Sequence, residues 1–467
     1  MSQATQAPLP ASTPQTQHQR RGSIQADGRR VKVRIGDVKG RFTTLRRWIF
    51  WSLIAFYAVL PLLKIRGQPV VFLDIVHRRF YLFGGTFNAQ DAYLLWPFLA
   101  GGLFTLFLLT ALFGRVWCGY ACPQTVFMEG IFRRLERWLE GPKHLQVARA
   151  RGPWTWDRIW RSGVKHGLFA LATLLVSHIF ISYFVSLEQL AAWVTEDPRE
   201  HLTAFLWMAS IAGVLYLDFA WFREQTCLIL CPYGRLQSAL TDDDTITVTY
   251  DPGRGEPRGK VGTPGAGDCV NCLRCVDVCP TAIDIREGLQ LECIACASCI
   301  DACDDIMRRL GRSPGLIRYD SLSALNGRRR RRLRPRILLH LGLLVALSVI
   351  GGFFIGGRHP FEATLIRQEG APYFLDRGLI RNQYFLHVVN KTPQSGHFEI
   401  TLEGLPPKAN VILPVKTLRL PSLGDIRLPV NVELPQEAYR GEFEVLAVTR
   451  ERESGKEVRS SLRFVGP

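Results

Sequence analysis

The sequence predicts a membrane α-helical bundle of five transmembrane helices, interrupted by an inserted dicluster ferredoxin-like domain and followed by an all-β sandwich. Three observations carry this expectation. Five apolar runs separate Arg-rich stretches. Two C-x2-C-x2-C-x3-C runs follow one another between residues 269 and 303. From residue 358 onward, short segments alternate polar and apolar residues. The expected organisation is a disordered cytoplasmic tail over 1–40 and four helices with two C-x3-C-P motifs over 41–250. A double ferredoxin-like domain follows over 251–320, an Arg-rich segment and fifth helix over 321–357, and an outer domain over 358–467.

The tail is rich in Gln, Ser, Thr and Pro, a composition that cannot bury a core. The apolar runs are Trp48–Leu63, Ala92–Gly114, His166–Leu187, His201–Leu217 continuing to Phe222, and Ile337–Gly357. Crossing a hydrocarbon layer of about 30 Å takes roughly 20 helical residues. The first run starts too late, and lacks the small-residue cleavage site, to be a removable leader. Such runs exclude a simple soluble enzyme, because they would expose large apolar patches to water. Lys and Arg set the expected orientation. Ten of them lie between Arg115 and Lys165, and Arg328 to Arg332, Arg334 and Arg336 precede the fifth run. The loop between the third and fourth runs has only Arg199 against Glu188, Glu196, Asp197 and Glu200. The expectation is a membrane protein with its N-terminus and Cys-rich domain on the cytoplasmic side and its C-terminal domain outside. The net charge of +17 then reflects topology and contact with membrane lipid. No recognition helix or aromatic-interleaved basic sheet points to nucleic acid.

All twelve Cys lie at or before Cys303 in short spacings, unlike the scattered thiols of a secreted disulfide framework. Cys269, Cys272, Cys275 and Cys279, then Cys293, Cys296, Cys299 and Cys303, repeat the ligand spacing of two [4Fe–4S] clusters. In that pattern the fourth Cys of each run reaches the other cluster. The expected sets are Cys269, Cys272, Cys275 and Cys303, and Cys293, Cys296, Cys299 and Cys279. Asp304 stands where Pro usually follows the second run, without touching the ligand set. Paired zinc ribbons would not need this spacing twice over.

Two further motifs, Cys118-x3-Cys122-Pro123 and Cys227-x3-Cys231-Pro232, follow the second and fourth apolar runs. Pro favours the first helical position, which places Cys122 and Cys231 at N-caps, where backbone amides lower a thiol's pKa. These four thiols form a candidate catalytic set: a redox-active thiol group, a soft-metal site selecting Cu(I), or the ligands of a further cofactor. Buried structural Cys is the plain alternative. His178 and Asp218, ionisable groups inside apolar runs, are weaker candidates. His166 and His340 lie near inner ends rather than at one depth, as a haem would need. No nucleotide or flavin fingerprint is present.

From residue 358, Tyr384–Asn390, His397–Leu402 and Phe443–Thr449 read as strands with period-two alternation, separated by turns such as Thr392-Pro-Gln-Ser-Gly. About 110 residues of this texture predict a sandwich.

Together these parts resemble the FixG/CcoG family of cytochrome c oxidase accessory proteins, over nearly the whole chain after the tail. The resemblance rests on Gly114-Arg-Val-Trp-Cys118-Gly-Tyr-Ala-Cys122-Pro-Gln-Thr, Cys227-Leu-Ile-Leu-Cys231-Pro-Tyr-Gly-Arg and Arg254-Gly-Glu-Pro-Arg-Gly. It rests also on the double Cys run and on Ile380-Arg-Asn-Gln-Tyr with Asn390-Lys-Thr. It implies a bacterial inner-membrane protein needed to assemble cbb3-type cytochrome oxidase, with a periplasmic immunoglobulin-like outer domain. It also implies reduction of Cu(II) to Cu(I), with copper as substrate. The implied partners are oxidase assembly factors, copper carriers and an unidentified electron donor. A quinol-linked electron carrier using His178 and Asp218, and a non-catalytic assembly scaffold, are the alternatives.

Overall fold

A computed structural model describes residues 32–65, 68–76, 78–331, 333–392 and 394–467. They form two compact units. One holds the chain up to Leu63 and Leu99–Leu347; the other holds Lys64–Phe98 and Ser348–Pro467.

The first unit is built on helices. Five helices are long and apolar enough to cross a membrane: Arg41–Leu62, Asp91–Phe113, Trp156–Ile181, Leu202–Phe222 and Pro335–Gly356. Their outward faces carry large exposed apolar side chains such as Leu99, Trp207 and Val345, which is the surface lipid requires. The third and fourth spans are joined through an aromatic knot. Phe132 stacks on Phe219 at 4.4 Å between ring centres and meets Phe169 edge-on at 5.0 Å.

Two span boundaries differ from expectation. The first helix begins at Arg41 rather than Trp48, because Arg46 is 5% exposed and bonds protein instead of water. The third begins at Trp156, where Thr155 caps Arg158 N, and stops at Ile181; Ser186 then starts a separate helix, Leu187–Thr195. The tail boundary at residue 40 is also corrected. Residues 32–40 have no regular structure but are held in place. Gly36 N bonds the Asp277 carbonyl at 2.9 Å, and Asp37 pairs with Arg137 at 2.6 Å. Residues 1–31, the bulk of the expected disordered tail, lie outside the described residues.

The ferredoxin-like insertion is closed by a two-stranded ribbon. Thr247–Tyr250 pairs antiparallel with Ile317–Asp320, and the loops between them carry the eight Cys of the double run.

In the second unit, the alternating pattern gives two sheets. One orders Asn410–Ile412, Asp425–Pro435, Leu379–Asn390 and Phe361–Arg367, with Phe374–Asp376 also on Leu379–Asn390. The other orders Thr417–Leu420, Gly396–Glu403, Phe443–Glu451 and Glu457–Phe464. Along Leu379–Asn390 every second residue is buried, so Ile380, Tyr384, Leu386 and Val388 face Phe398, Val445 and Phe464 across the core. The segment between spans one and two belongs here too. It forms a three-stranded meander, Val71–Asp74, Arg79–Leu82 and Gly85–Asn88. Arg79 donates to the Leu423 carbonyl at 2.7 Å. Asp91, 2% exposed, accepts from both Arg358 and Lys391 at 2.8 Å. Removing one member of a buried charge group strands the others. Asp91→Asn should therefore cost roughly 3 kcal/mol, seen as a lower melting temperature and earlier proteolysis of the Val71–Asn88 meander.

Candidate metal centres

The two ferredoxin loops are near copies in backbone as well as in sequence. Each needs two left-handed residues to wrap its thiols inward: Asn271 (φ 54°) and Leu273 (φ 59°) in the first, Ala295 (φ 51°) and Ala297 (φ 59°) in the second. Helices Arg274–Asp277 and Ser298–Arg309 follow directly. The folding gathers the eight sulfurs round two cavities. Cys269, Cys272, Cys275 and Cys303 line one of about 360 Å³, with Tyr250, Ile306 and Leu316. Cys279, Cys293, Cys296 and Cys299 line one of about 340 Å³, with Val248, Ile283 and Ile285, and Cys275 at its edge. Each cavity thus takes its fourth thiol from the other run.

This donor set fits a polynuclear centre. Sulfurs round one tetrahedral ion stand only about 3.8 Å apart at metal–sulfur bonds near 2.3 Å. Among the described residues the group whose ligand atoms all lie within 4.8 Å of one another is Glu196, Glu200 and His201, at the surface, and it contains no Cys. Burial pushes Cys275, Cys293 and Cys303 up to about 12. Burial thus disfavours the thiolate form, and metal binding releases the thiol protons.

The C-x3-C-P motifs lie beside this domain. Cys122 is the N-cap of Pro123–Phe127, which runs on to Glu140, and Cys231 is the N-cap of Pro232–Leu240. Cys118, Cys122 and Cys231 all lie near enough to Cys227 to act on it electrostatically. The expected lowering of pKa is reversed at Cys122. Burial raises it and outweighs the amides of Gln124 and Thr125, which act in the other direction. Burial first, then the neighbouring thiols, pushes Cys227 up to about 12.

One contact joins the thiol group to the second cavity. Cys118 packs in an apolar cluster with Ile294 and Cys296, and Gln237 Nε2 donates to its sulfur at 3.6 Å. A Cβ on Gly119 would lie 2.5 Å from the Ile294 carbonyl oxygen and 3.0 Å from Cys296 Cα. Only glycine permits that approach. Arg46 fastens it, donating from Nε to the Gly119 carbonyl at 3.0 Å and from Nη1 to Ser298 Oγ at 3.1 Å.

Comparison with known proteins agrees with this arrangement. Residues 222–322 match the family described as a 4Fe-4S dicluster domain, and residues 95–142 a 4Fe-4S binding domain. Residues 352–467 match the IG-like fold at the C-terminus of FixG. Protein RdxA of Cereibacter sphaeroides is 36% identical over 389 residues, 79% of this chain and 81% of its own. Nitrogen fixation protein FixG of Rhizobium meliloti is 31% identical over 423 residues, 81% of this chain and 80% of its own.

The chain belongs to the FixG family.

As a FixG-family member it is an iron–sulfur membrane oxidoreductase with an immunoglobulin-like C-terminal domain. Sequence reasoning passed over the residues that wall its thiol group. Arg223, 1% exposed, donates to Glu136 at 2.5 Å, and Lys32 holds the other Glu136 oxygen at 2.6 Å. Arg133 bonds Glu129 and, at 3.3 Å, Glu224. Glu129, Arg133, Arg223 and Glu224 line a cavity of about 340 Å³ with Cys227 and Thr281. The signal available was Arg223-Glu224, a charged pair just before Cys227. Of the two intramembrane candidates, Asp218 belongs here, since it accepts from Thr226 beside Cys227. His178 bonds only its own helix, at the Leu174 carbonyl, 2.8 Å away.

Arg223 and Lys32 hold the Glu136 carboxyl at about 2, against an ordinary 4.5, although burial alone would raise it. A depressed carboxylate stabilises the fold fully above its unfolded value and loses that contribution as pH falls through its folded value. Glu136→Gln should cost roughly 3 kcal/mol near neutral pH. In melting curves the difference from wild type should shrink between pH 4.5 and about 2.

Proposed function

We propose that this protein is a cupric reductase. It would reduce Cu(II) to Cu(I) for copper delivery during assembly of a cbb3-type cytochrome c oxidase. The observation that carries this reading is the contact of Cys118 and Gly119 with Ile294 and Cys296, which sets a soft thiol group against the second iron–sulfur cavity. Cys269, Cys272, Cys275 and Cys303 would hold one [4Fe–4S] cluster, and Cys279, Cys293, Cys296 and Cys299 the other. When bound, these clusters supply one-electron transfer.

The chain's own residues do the rest. Cys118, Cys122, Cys227 and Cys231 receive copper as substrate. Cu(II) gains one electron and becomes Cu(I), and each thiol that ligates copper as a thiolate gives up its proton to water. Thiolate ligands favour the Cu(I) product. Arg115 lies among the charged neighbours of Cys227 and favours its thiolate. The Lys and Arg distribution supports a ferredoxin domain on the cytoplasmic side and a periplasmic immunoglobulin-like domain. The proposed partners are copper carriers and oxidase assembly factors outside, and an electron donor inside.

The test uses full-length protein, reduced anaerobically and mixed with Cu(II) and a Cu(I)-specific chelator. Chelated Cu(I) should form. Cys122→Ala and Cys231→Ala should lower its rate by about 10–100-fold while iron and acid-labile sulfide are retained. A wild-type rate no higher than that of Cys296→Ala overturns the reading. Quinol-dependent reduction indifferent to copper would replace it with a quinol-linked carrier.

Gly119→Ala gives a second check. The added methyl must displace backbone, at about 1–3 kcal/mol of overpacking. Both cluster cavities should still fill, but Cu(I) formation should slow and the melting temperature fall.

A further inference from the structure

The two ferredoxin loops have the same fold and opposite surroundings. In the second loop Ala295, Cys296 and Ala297 are 3%, 7% and 1% exposed: Gly119 and Cys118 lie on Cys296, while Ala295 and Ala297 pack into the core of the domain itself. In the first loop the equivalent residues are Asn271, Cys272 and Leu273. All three are exposed, Leu273 at 50%. Both loops carry left-handed backbone at the same two places, so the tip of each is the same shape. Of the twelve cysteines, Cys272 is the exposed one. One copy of the tip is covered by the membrane motif, and the other faces solvent.

We infer that the Asn271–Leu273 tip is the docking surface for a soluble one-electron carrier protein, and that electrons enter at Cys272 and leave at Cys296. The covered copy shows what the tip is shaped to receive: a closely packed partner that brings an electron acceptor or donor against the central Cys of the loop. Strain at Leu273 points the same way. A branched apolar side chain in the left-handed region is uncommon, and here it stands half in water rather than filling a core. A docked partner takes that side chain out of water.

Charge indicates which carrier fits. Arg274 and Arg286 line the first cavity beside Cys272, and Arg286 Nη1 bonds Asn271 Oδ1 at 2.6 Å. Exposed Lys260 adjoins Gly259, whose N–H bonds the Cys269 carbonyl at 3.2 Å. Asp284 neutralises Arg286, but Arg274 and Lys143 share the one carboxylate of Asp277. With Lys260 these groups leave positive charge in excess beside the tip, which suits a carrier whose redox centre sits near an acidic surface. The carrier gives up one electron, which is taken up at the site held by Cys269, Cys272, Cys275 and Cys303. No bond forms or breaks, and no proton moves.

This inference rests on the electron-transfer reading but not on copper, and its test contains none. The probe is a plant-type [2Fe–2S] ferredoxin, an acidic one-electron carrier. Stopped-flow absorbance gives the second-order rate at which the reduced probe bleaches the full chain in lipid nanodiscs. Surface plasmon resonance gives the affinity of the oxidised probe. Leu273→Glu should lower both by about tenfold, the scale of electrostatic steering, and leave bleaching by dithionite unchanged. Leu291→Glu, at a leucine 62% exposed elsewhere on the domain, should leave both at wild-type values. Should Leu273→Glu fail to assemble its iron, Asn271→Asp adds the same charge while keeping the acceptor for Arg286, and should slow the probe likewise. Wild-type rate and affinity in the assembled tip variants overturn the inference. So does an equal loss at Leu291→Glu.

Discussion

The close approach of Gly119 to the Ile294–Cys296 backbone is the constraint on which the membrane unit depends, because it leaves no room for water or side chain between the two. Protein interiors do not deform smoothly. Once this seam is set, the ferredoxin domain has one seat on the helices, and Arg46 closes it from the first span. That explains why the first helix extends into its basic flank. An arginine that positive-inside topology alone would leave at the lipid surface is drawn into the protein, where its guanidinium bonds a carbonyl and a hydroxyl.

Around this seam the protein gathers an unusual density of buried charge. Arg133, Glu136, Arg223 and Glu224 are each less than 9% exposed. Ions in such a place are tolerated only when paired and hydrogen-bonded. The pairing is also economical in chain. Arg223 and Glu224 precede Cys227, while Glu129, Arg133 and Glu136 lie on the helix that Cys122 caps. The ion pairs therefore tie together the segments that carry the two C-x3-C-P motifs.

What could be read from the sequence was whatever is local. Cysteine spacing is fixed by the size of the loop that must present the thiols, so both ferredoxin runs were legible. Apolar runs long enough to span were legible for the same reason. Pro123 and Pro232 correctly placed Cys122 and Cys231 at helix starts. The consequence drawn for thiol acidity failed at Cys122, since capping is local but burial is set by the whole fold. Gly119 and Arg46 gave no signal, because their partners lie 73 or more residues away in sequence. His178 and Asp218 looked alike as intramembrane ionisable groups, and only packing separates them. The meander Val71–Asn88 was missed as structure because its strands are four residues each, too short for a period to declare itself.

The ribbon that closes the ferredoxin insertion has a wider bearing. Thr247 faces Asp320, so the two ends of the excursion leave the helical scaffold side by side. A module whose chain enters and leaves through a single neck places little length requirement on the parts of it that do not touch the helices. Segments away from the Gly119 seam and from the carbonyls of Pro280 and Leu291, which Arg133 and Arg115 hold, can grow, shrink or be exchanged without shifting the fourth or fifth membrane helix. Such an arrangement lets the soluble portion of the molecule diversify toward new reductants while the part embedded in lipid stays fixed.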